Sequence, residues 1–86
     1  MSKIALITGA SRGIGAAIAR RLRADGCTVV LNYHHSGDAA QALAAELEGI
    51  ALPADVSDPL QAQNLVDTVL EKFCQLDILV CNAGVA

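Results

Sequence analysis

The residues best suited to chemistry lie together at Thr8-Gly9-Ala10-Ser11-Arg12-Gly13-Ile14-Gly15. This stretch follows a short apolar run and opens a helical pattern. Glycine lets the chain turn tightly and lets a ligand approach the backbone. The helix start beyond it offers free N–H groups and a partial positive charge, which together suit a diphosphate. The spacing is G-x-x-x-G-x-G, not the more common G-x-G-x-x-G. It is not a P-loop either, because no lysine follows the last glycine to reach a β- or γ-phosphate. The alternative is a plain glycine turn between strand and helix.

Other candidates sit where strand-like runs end. Tyr33 and His34 close the second run, Asp55-Val56 follow the third, and Asn82-Ala83-Gly84 follow the fourth. Asp55 could also serve as a turn residue, and Ser11 could merely stabilise its turn. The pair His34-His35 has no third ligand nearby in sequence, so no metal is expected. Cys27, Cys74 and Cys81 are odd in number and form no C-x-x-C, so they read as buried, reduced thiols.

The elements that must position these residues alternate. Residues 3–8 read as a buried strand. Ile14, Ile18 and Leu22, with Ala17 beside them, mark the inward face of a first helix, and Gly26 suits its C-terminal cap. Residues 28–33 form a β-branched second strand. Residues 38–48 are helical, with Leu43 and Leu47 inward and Gly49 as the stop. A short strand covers 50–52. Asp58-Pro59-Leu60-Gln61 starts a third helix, with Asp58 as N-cap, Pro59 in the first helical position and Gln61 reaching back in a capping box. Its apolar stripe is Ala62, Leu65, Val66, Val69, Leu70 and Phe73. Residues 77–81 form a fourth strand. This βαβαβαβ order predicts an α/β fold with a parallel sheet, right-handed crossovers and strand order 3-2-1-4. That order sets the ends of strands one and four side by side, where such sheets bind ligands.

Composition narrows the classes. The 86 residues suit one small domain, and 53% apolar against 17% charged residues argues for an ordered chain. Aromatics are only 2% and the net charge is −3, with no dense basic run. Neither nucleic acid nor an acidic membrane surface is therefore an expected partner. Nothing at the N-terminus resembles a signal peptide, and no apolar run approaches the roughly 20 residues of a membrane helix. A cytoplasmic location is expected.

Thr8 to Gly15 resembles the T-G-x-x-x-G-x-G motif of the short-chain dehydrogenase/reductase family, Asp55-Val56 its D-V pair, and Asn82-Ala83-Gly84 its N-A-G motif. The three occur in the family's order and span the whole chain. The resemblance implies a Rossmann-type, doubly wound sheet. It also implies that Gly9, Ser11, Arg12, Gly13, Ile14 and Gly15 hold the diphosphate and adenine ribose of a nicotinamide dinucleotide. Asp55 would accept from the adenine amino group, with Val56 against the ring. Asn82, Ala83 and Gly84 would support the ribose side and pin strand four near the glycine loop. Many members carry a second asparagine before N-A-G. Cys81 stands there in this sequence, as a small side chain expected to be partly buried.

An acid at the end of the second strand would bind the 2′-hydroxyl of NAD and repel the 2′-phosphate of NADP. The position holds Tyr33, followed by His34. Arg12 in the glycine loop has a guanidinium suited to phosphate oxygens. Together these favour NADP(H). The alternative for Arg12 is a solvated loop charge.

The family's chemistry uses a serine, a Y-x-x-x-K pair and an asparagine on a following helix. The only tyrosine is Tyr33, with Gly37 four residues on, so none of these can be placed. The chain is therefore expected to be the N-terminal half of the domain, with the catalytic half, the substrate pocket and the homo-oligomer interface outside it. Within the family, T-G-A-S-R-G-I-G most resembles 3-oxoacyl-acyl-carrier-protein reductases, implying a small carbonyl or acyl-thioester substrate. Alternatives are a sugar, polyol or steroid substrate, or an inert dinucleotide-binding piece. A methyltransferase would want an acid at Tyr33, and a phosphoacceptor domain would want acids near Thr8-Gly9.

Overall fold

The apolar runs and the helical patterns form the elements expected of them. The computed structural model describes residues 2–82. In order they are β1 (Ile4–Ile7), α1 (Gly13–Ala24), β2 (Thr28–Tyr33), α2 (Gly37–Glu46), β3 (Ile50–Pro53), α3 (Pro59–Phe73) and β4 (Ile78–Val80). The strands make one sheet in the order β3-β2-β1-β4, and every pairing is parallel. Ile4 lies opposite Thr28, Val30 opposite Ile50, and Ala5 opposite Ile78.

Because strand side chains alternate, the two faces of the sheet have separate cores. Ala5, Ile7, Val29 and Leu31 pack under α1 and α2, against Ala16, Ala19, Leu43 and Leu47. Ile4, Leu6 and Val30 pack on the other face under α3, against Leu65 and Val69. β1 and the Val29–Leu31 stretch of β2 are buried on both sides, which is why those stretches are continuously apolar.

Several local expectations need correction. Ile14 is 67% exposed and Ala17 is also exposed. The α1 face that meets the sheet is Gly15, Ala16 and Ala19, with Ile18 and Leu22 at its margins. Small residues sit there because the helix start must approach the β1 loop closely. On α3, Leu65 and Val69 carry the burial, whereas Leu70 is 43% exposed at the edge of the stripe. Gln61 reaches back past Asp58 to accept from the Asp55 N–H at 2.8 Å, because the Asp58 N–H is already donated to the Asp55 carbonyl. Asp58 caps α3 as expected, its carboxylate accepting from the Leu60 N–H at 3.0 Å.

The left-handed residue after α2 is Glu48 (φ 56°), not Gly49. Gly49 is needed for proximity instead: a Cβ there would fall 2.3 Å from the Val29 carbonyl oxygen. Only Cys27 is a buried thiol; Cys74 and Cys81 are exposed, and all three are free. Cys74 occupies the left-handed C-cap of α3, and Cys81 follows the edge strand, which keeps both near solvent. Among the described residues no helix is long and apolar enough to cross a membrane.

Candidate functional site

The ends of β1 and β4 meet at Thr8. Its N–H donates to the Val80 carbonyl at 3.0 Å, and its hydroxyl accepts from the Asn82 N–H at 2.9 Å. The Asn82 side chain then donates to the Gly9 carbonyl at 3.0 Å, so β4 is tied to the glycine loop. Gly9 and Gly13 have φ of 62° and 65°, which only glycine adopts without cost. Gly15 serves differently: a Cβ there would lie 2.5 Å from the Gly9 oxygen and 2.8 Å from Asn82 Nδ2.

α1 begins directly above this loop. Its N-cap is Arg12, which makes no side-chain cap, and no acid occupies the first turn. The first backbone N–H groups therefore keep their donor capacity, and the helix dipole favours an anion there. Nothing lies within 4 Å of where a Gly13 Cβ would stand. An uncapped helix start with free space beside it fits a diphosphate.

Two clefts flank the loop. One, of about 340 Å³, is lined by Gly9, Asn32, His34, Asp55, Val56 and Ser57, among others. The other, of about 410 Å³, lies between α1 and α2 and includes Ser11, Arg12, Gly13, Ala16 and Arg20. The fold thus collects Gly9, His34, Asp55 and Val56 on one side, and Ser11, Arg12 and Gly13 on the other. Gly15 and Asn82 lie beneath as supports. Ile14 projects outward from the first turn. Tyr33 lines neither cleft; its ring lies over Gly37, where an added Cβ would meet it at 3.1 Å. Ala83 and Gly84 lie outside the described residues.

Asp55 is held as a carboxylate. Its Oδ1 accepts from the Ser57 hydroxyl at 2.6 Å and the Ser57 N–H at 3.0 Å. These bonds, the hydroxyl first, keep its pKa below the usual carboxyl range, and the His34 and His35 imidazoles add to the effect. Its other oxygen stays available to accept from an amino group in the cleft. Among the described residues no group of three or more acids, histidines or cysteines is placed to hold a metal.

Asn32 was not foreseen as a site residue. It is 1% exposed, in the middle of the sheet. Its side-chain oxygen accepts from the Gly9 N–H at 3.4 Å, and its amide donates to the Ala54 carbonyl at 3.2 Å and the Leu52 carbonyl at 3.4 Å. It thereby joins the glycine loop to the connection that carries Asp55. The signal was available: a polar residue ending an apolar central strand must find partners when buried. Thr8, the other residue that organises the loop, lay inside the motif without an assigned role.

Known proteins agree with this geometry. A short chain dehydrogenase from Burkholderia cenocepacia J2315, solved in complex with NADP, superposes with a TM-score of 0.92 at 53% identity, over 96% of this chain and 36% of that one. The 3-oxoacyl-[acyl-carrier-protein] reductase of a Synechocystis species is 46% identical over 98% of this chain and 36% of its own length. An L-rhamnose 1-dehydrogenase (NAD(P)(+)) from a Sphingomonas species is 43% identical over 96% of this chain and 35% of its own. The chain thus spans little more than a third of the relatives it matches. With the short chain dehydrogenase family matching residues 3–86 and the glycine loop, sheet order and Asn82 tie all in place, the chain belongs to that family.

Proposed function

We propose that these residues form the NADP(H)-binding part of a ketone/alcohol oxidoreductase. The observation that carries the reading is the α1 N-terminus, with no side-chain cap, no acid in its first turn, and open space at Gly13. Gly9, Ser11, Arg12, Gly13, Ile14 and Gly15 are the residues that would hold the diphosphate and ribose. Asp55 and Val56 would hold the adenine, and Asn82, Ala83 and Gly84 the ribose side. When bound, the nicotinamide supplies the hydride; this chain's own residues bind and orient the dinucleotide. Preference for the 2′-phosphate rests on Tyr33 and His34 in place of an acid, and on the exposed Arg12 guanidinium.

The substrate of the complete protein is proposed to be a 3-oxoacyl thioester, on the likeness to the Synechocystis reductase. The rhamnose dehydrogenase is nearly as similar, so a sugar is the competing substrate class. With Tyr33 as its only tyrosine and no Y-x-x-x-K pair, the 86-residue polypeptide is proposed to bind dinucleotide without turning over substrate.

Calorimetry with NADP+ and NAD+ tests the reading. A charge-assisted phosphate contact contributes about 1.5–3 kcal/mol, so NADP+ should bind about tenfold tighter or more. Equal affinities would sink the NADP assignment, and absence of binding would sink the dinucleotide reading. His34→Asp, at the position after β2 that lines the cleft, should reverse the preference. Assays of the complete protein with a 3-oxoacyl thioester and with an aldose decide the substrate class.

A further inference from the structure

The backbone and the side chain of Asp55 are fixed by different partners. Its N–H donates to the Gln61 side-chain oxygen at 2.8 Å, and its carbonyl accepts from the Asp58 N–H at 3.0 Å. The Gln61 amide in turn donates to the Asp58 carboxylate at 3.2 Å, and Asp58 caps α3. The position of the chain at Asp55 therefore does not depend on the Ser57 hydroxyl. That hydroxyl fixes the rotation of the carboxylate instead. It donates to Oδ1 at 2.6 Å, in the range of a charge-assisted bond, beside the Ser57 N–H at 3.0 Å. With both bonds on Oδ1, Oδ2 is the oxygen left to meet a ligand. Ser57, Asp55 and Val56 line the same cleft.

Resting on the dinucleotide reading above, we propose that Ser57 is a positioning residue that sets base selectivity: by pinning Asp55, it makes the cleft accept a purine with a 6-amino group and reject one with a 6-oxo group. An ionised carboxylate only accepts hydrogen bonds. The Ser57 bonds, the hydroxyl first, hold the Asp55 pKa below the usual carboxyl range, so the group stays an acceptor. With the ring against Val56, adenine turns its amino donor toward Oδ2. Hypoxanthine turns an oxygen there, and acceptor meets acceptor.

The pin decides how much that mismatch costs. A free carboxylate can rotate away from the 6-oxygen and accept from the neighbouring N1–H of hypoxanthine. A carboxylate held on Oδ1 by two donors cannot do so. Pinning also removes the entropy that adenine would otherwise lose in ordering the side chain. Loss of the Ser57 hydroxyl therefore weakens adenine binding and relieves hypoxanthine, and both changes narrow the preference.

The experiment is calorimetry of the complete protein with NADP+ and with its hypoxanthine analogue. The phosphates and riboses are common to the two, so the ratio of dissociation constants isolates the edge of the base. The wild type should bind NADP+ about tenfold tighter or more, as expected of a hydrogen bond to a charged acceptor. Ser57→Ala keeps the Ser57 N–H bond and should narrow the ratio to about threefold or less. Ser57→Thr returns a hydroxyl to the same place and should restore it. A merely structural role would weaken both ligands together and leave the ratio unchanged. A wild-type preference for NADP+ that persists undiminished in Ser57→Ala overturns the proposal and leaves the dinucleotide reading standing. Equal affinities in the wild type, or binding of neither ligand, overturn the assignment of adenine to Asp55 as well, so the two failures are distinct.

Discussion

The Asn82 side chain donates to the Gly9 carbonyl at 3.0 Å, and those same two groups are what a Cβ on Gly15 would strike. The end of β4, the glycine loop and the first turn of α1 are therefore packed to a distance that only glycine permits.

Gly15 and Gly13 should fail in different ways. Gly15→Ala forces the Gly9 oxygen or Asn82 to move, at a cost of about 1–3 kcal/mol, as for other overpacked sites. Gly13→Ala meets no neighbour but must hold a left-handed φ, at about 1–2 kcal/mol. Gly13→Asn should recover part of that stability, because asparagine tolerates this conformation. Urea unfolding of these three variants and of Gly15→Asn checks the contrast. Recovery by Gly15→Asn would contradict it.

Asn32→Leu should destabilise by about 1–3 kcal/mol, because the Gly9 N–H and the Ala54 carbonyl lose their side-chain partner. Asn32→Asp should not restore stability. It keeps an acceptor for Gly9 but buries a charge against the carbonyls of Tyr33, Leu52 and Ala54. Urea unfolding measures the stability, and 2′,5′-ADP affinity measures the effect on the cleft. An Asp variant as stable as the wild type would show that the amide's donor side is idle.

Asp77 should couple stability to acid. Its carboxylate accepts from the Ile4 N–H at 2.8 Å and from Gln75 at 2.7 Å, and these bonds hold its pKa below the usual range. The folded form is then favoured fully above the unfolded carboxyl value of about 3.9, and that contribution is lost as pH falls through the lower folded value. Denaturation midpoints of the wild type and Asp77→Ala should differ at neutral pH and converge in strong acid. A gap that widens on acidification would reverse the sign.

In the 86-residue polypeptide, amides of Ile78 to Val80 should exchange with solvent faster than those of Ile4 to Ile7. Among the described residues β4 pairs only with β1, and Leu79 is 52% exposed, whereas β1 is paired on both sides. An unpaired edge opens more readily than a central strand. Equal protection by hydrogen-exchange NMR would mean that something covers β4.

The sequence by itself determined the element order, the parallel sheet and the glycine loop. These depend on short-range patterns: continuous apolar runs, a Pro after an N-cap Asp, and glycines at a helix start. It also placed the strand ends that carry Asp55 and Asn82 beside that loop, because right-handed crossovers leave few arrangements. Only the tertiary structure decided which residues of α1 face the sheet. A helical repeat marks Ile14 as apolar, but the close approach of the helix start to Gly9 turns the small face, with Gly15, Ala16 and Ala19, inward. Tertiary structure alone also separated Tyr33, folded over Gly37, from His34, which lines the cleft. Asn32 gained its role the same way. Its partners Gly9 and Ala54 are distant in sequence, and a buried amide is assigned only when the groups that satisfy it are brought together in space.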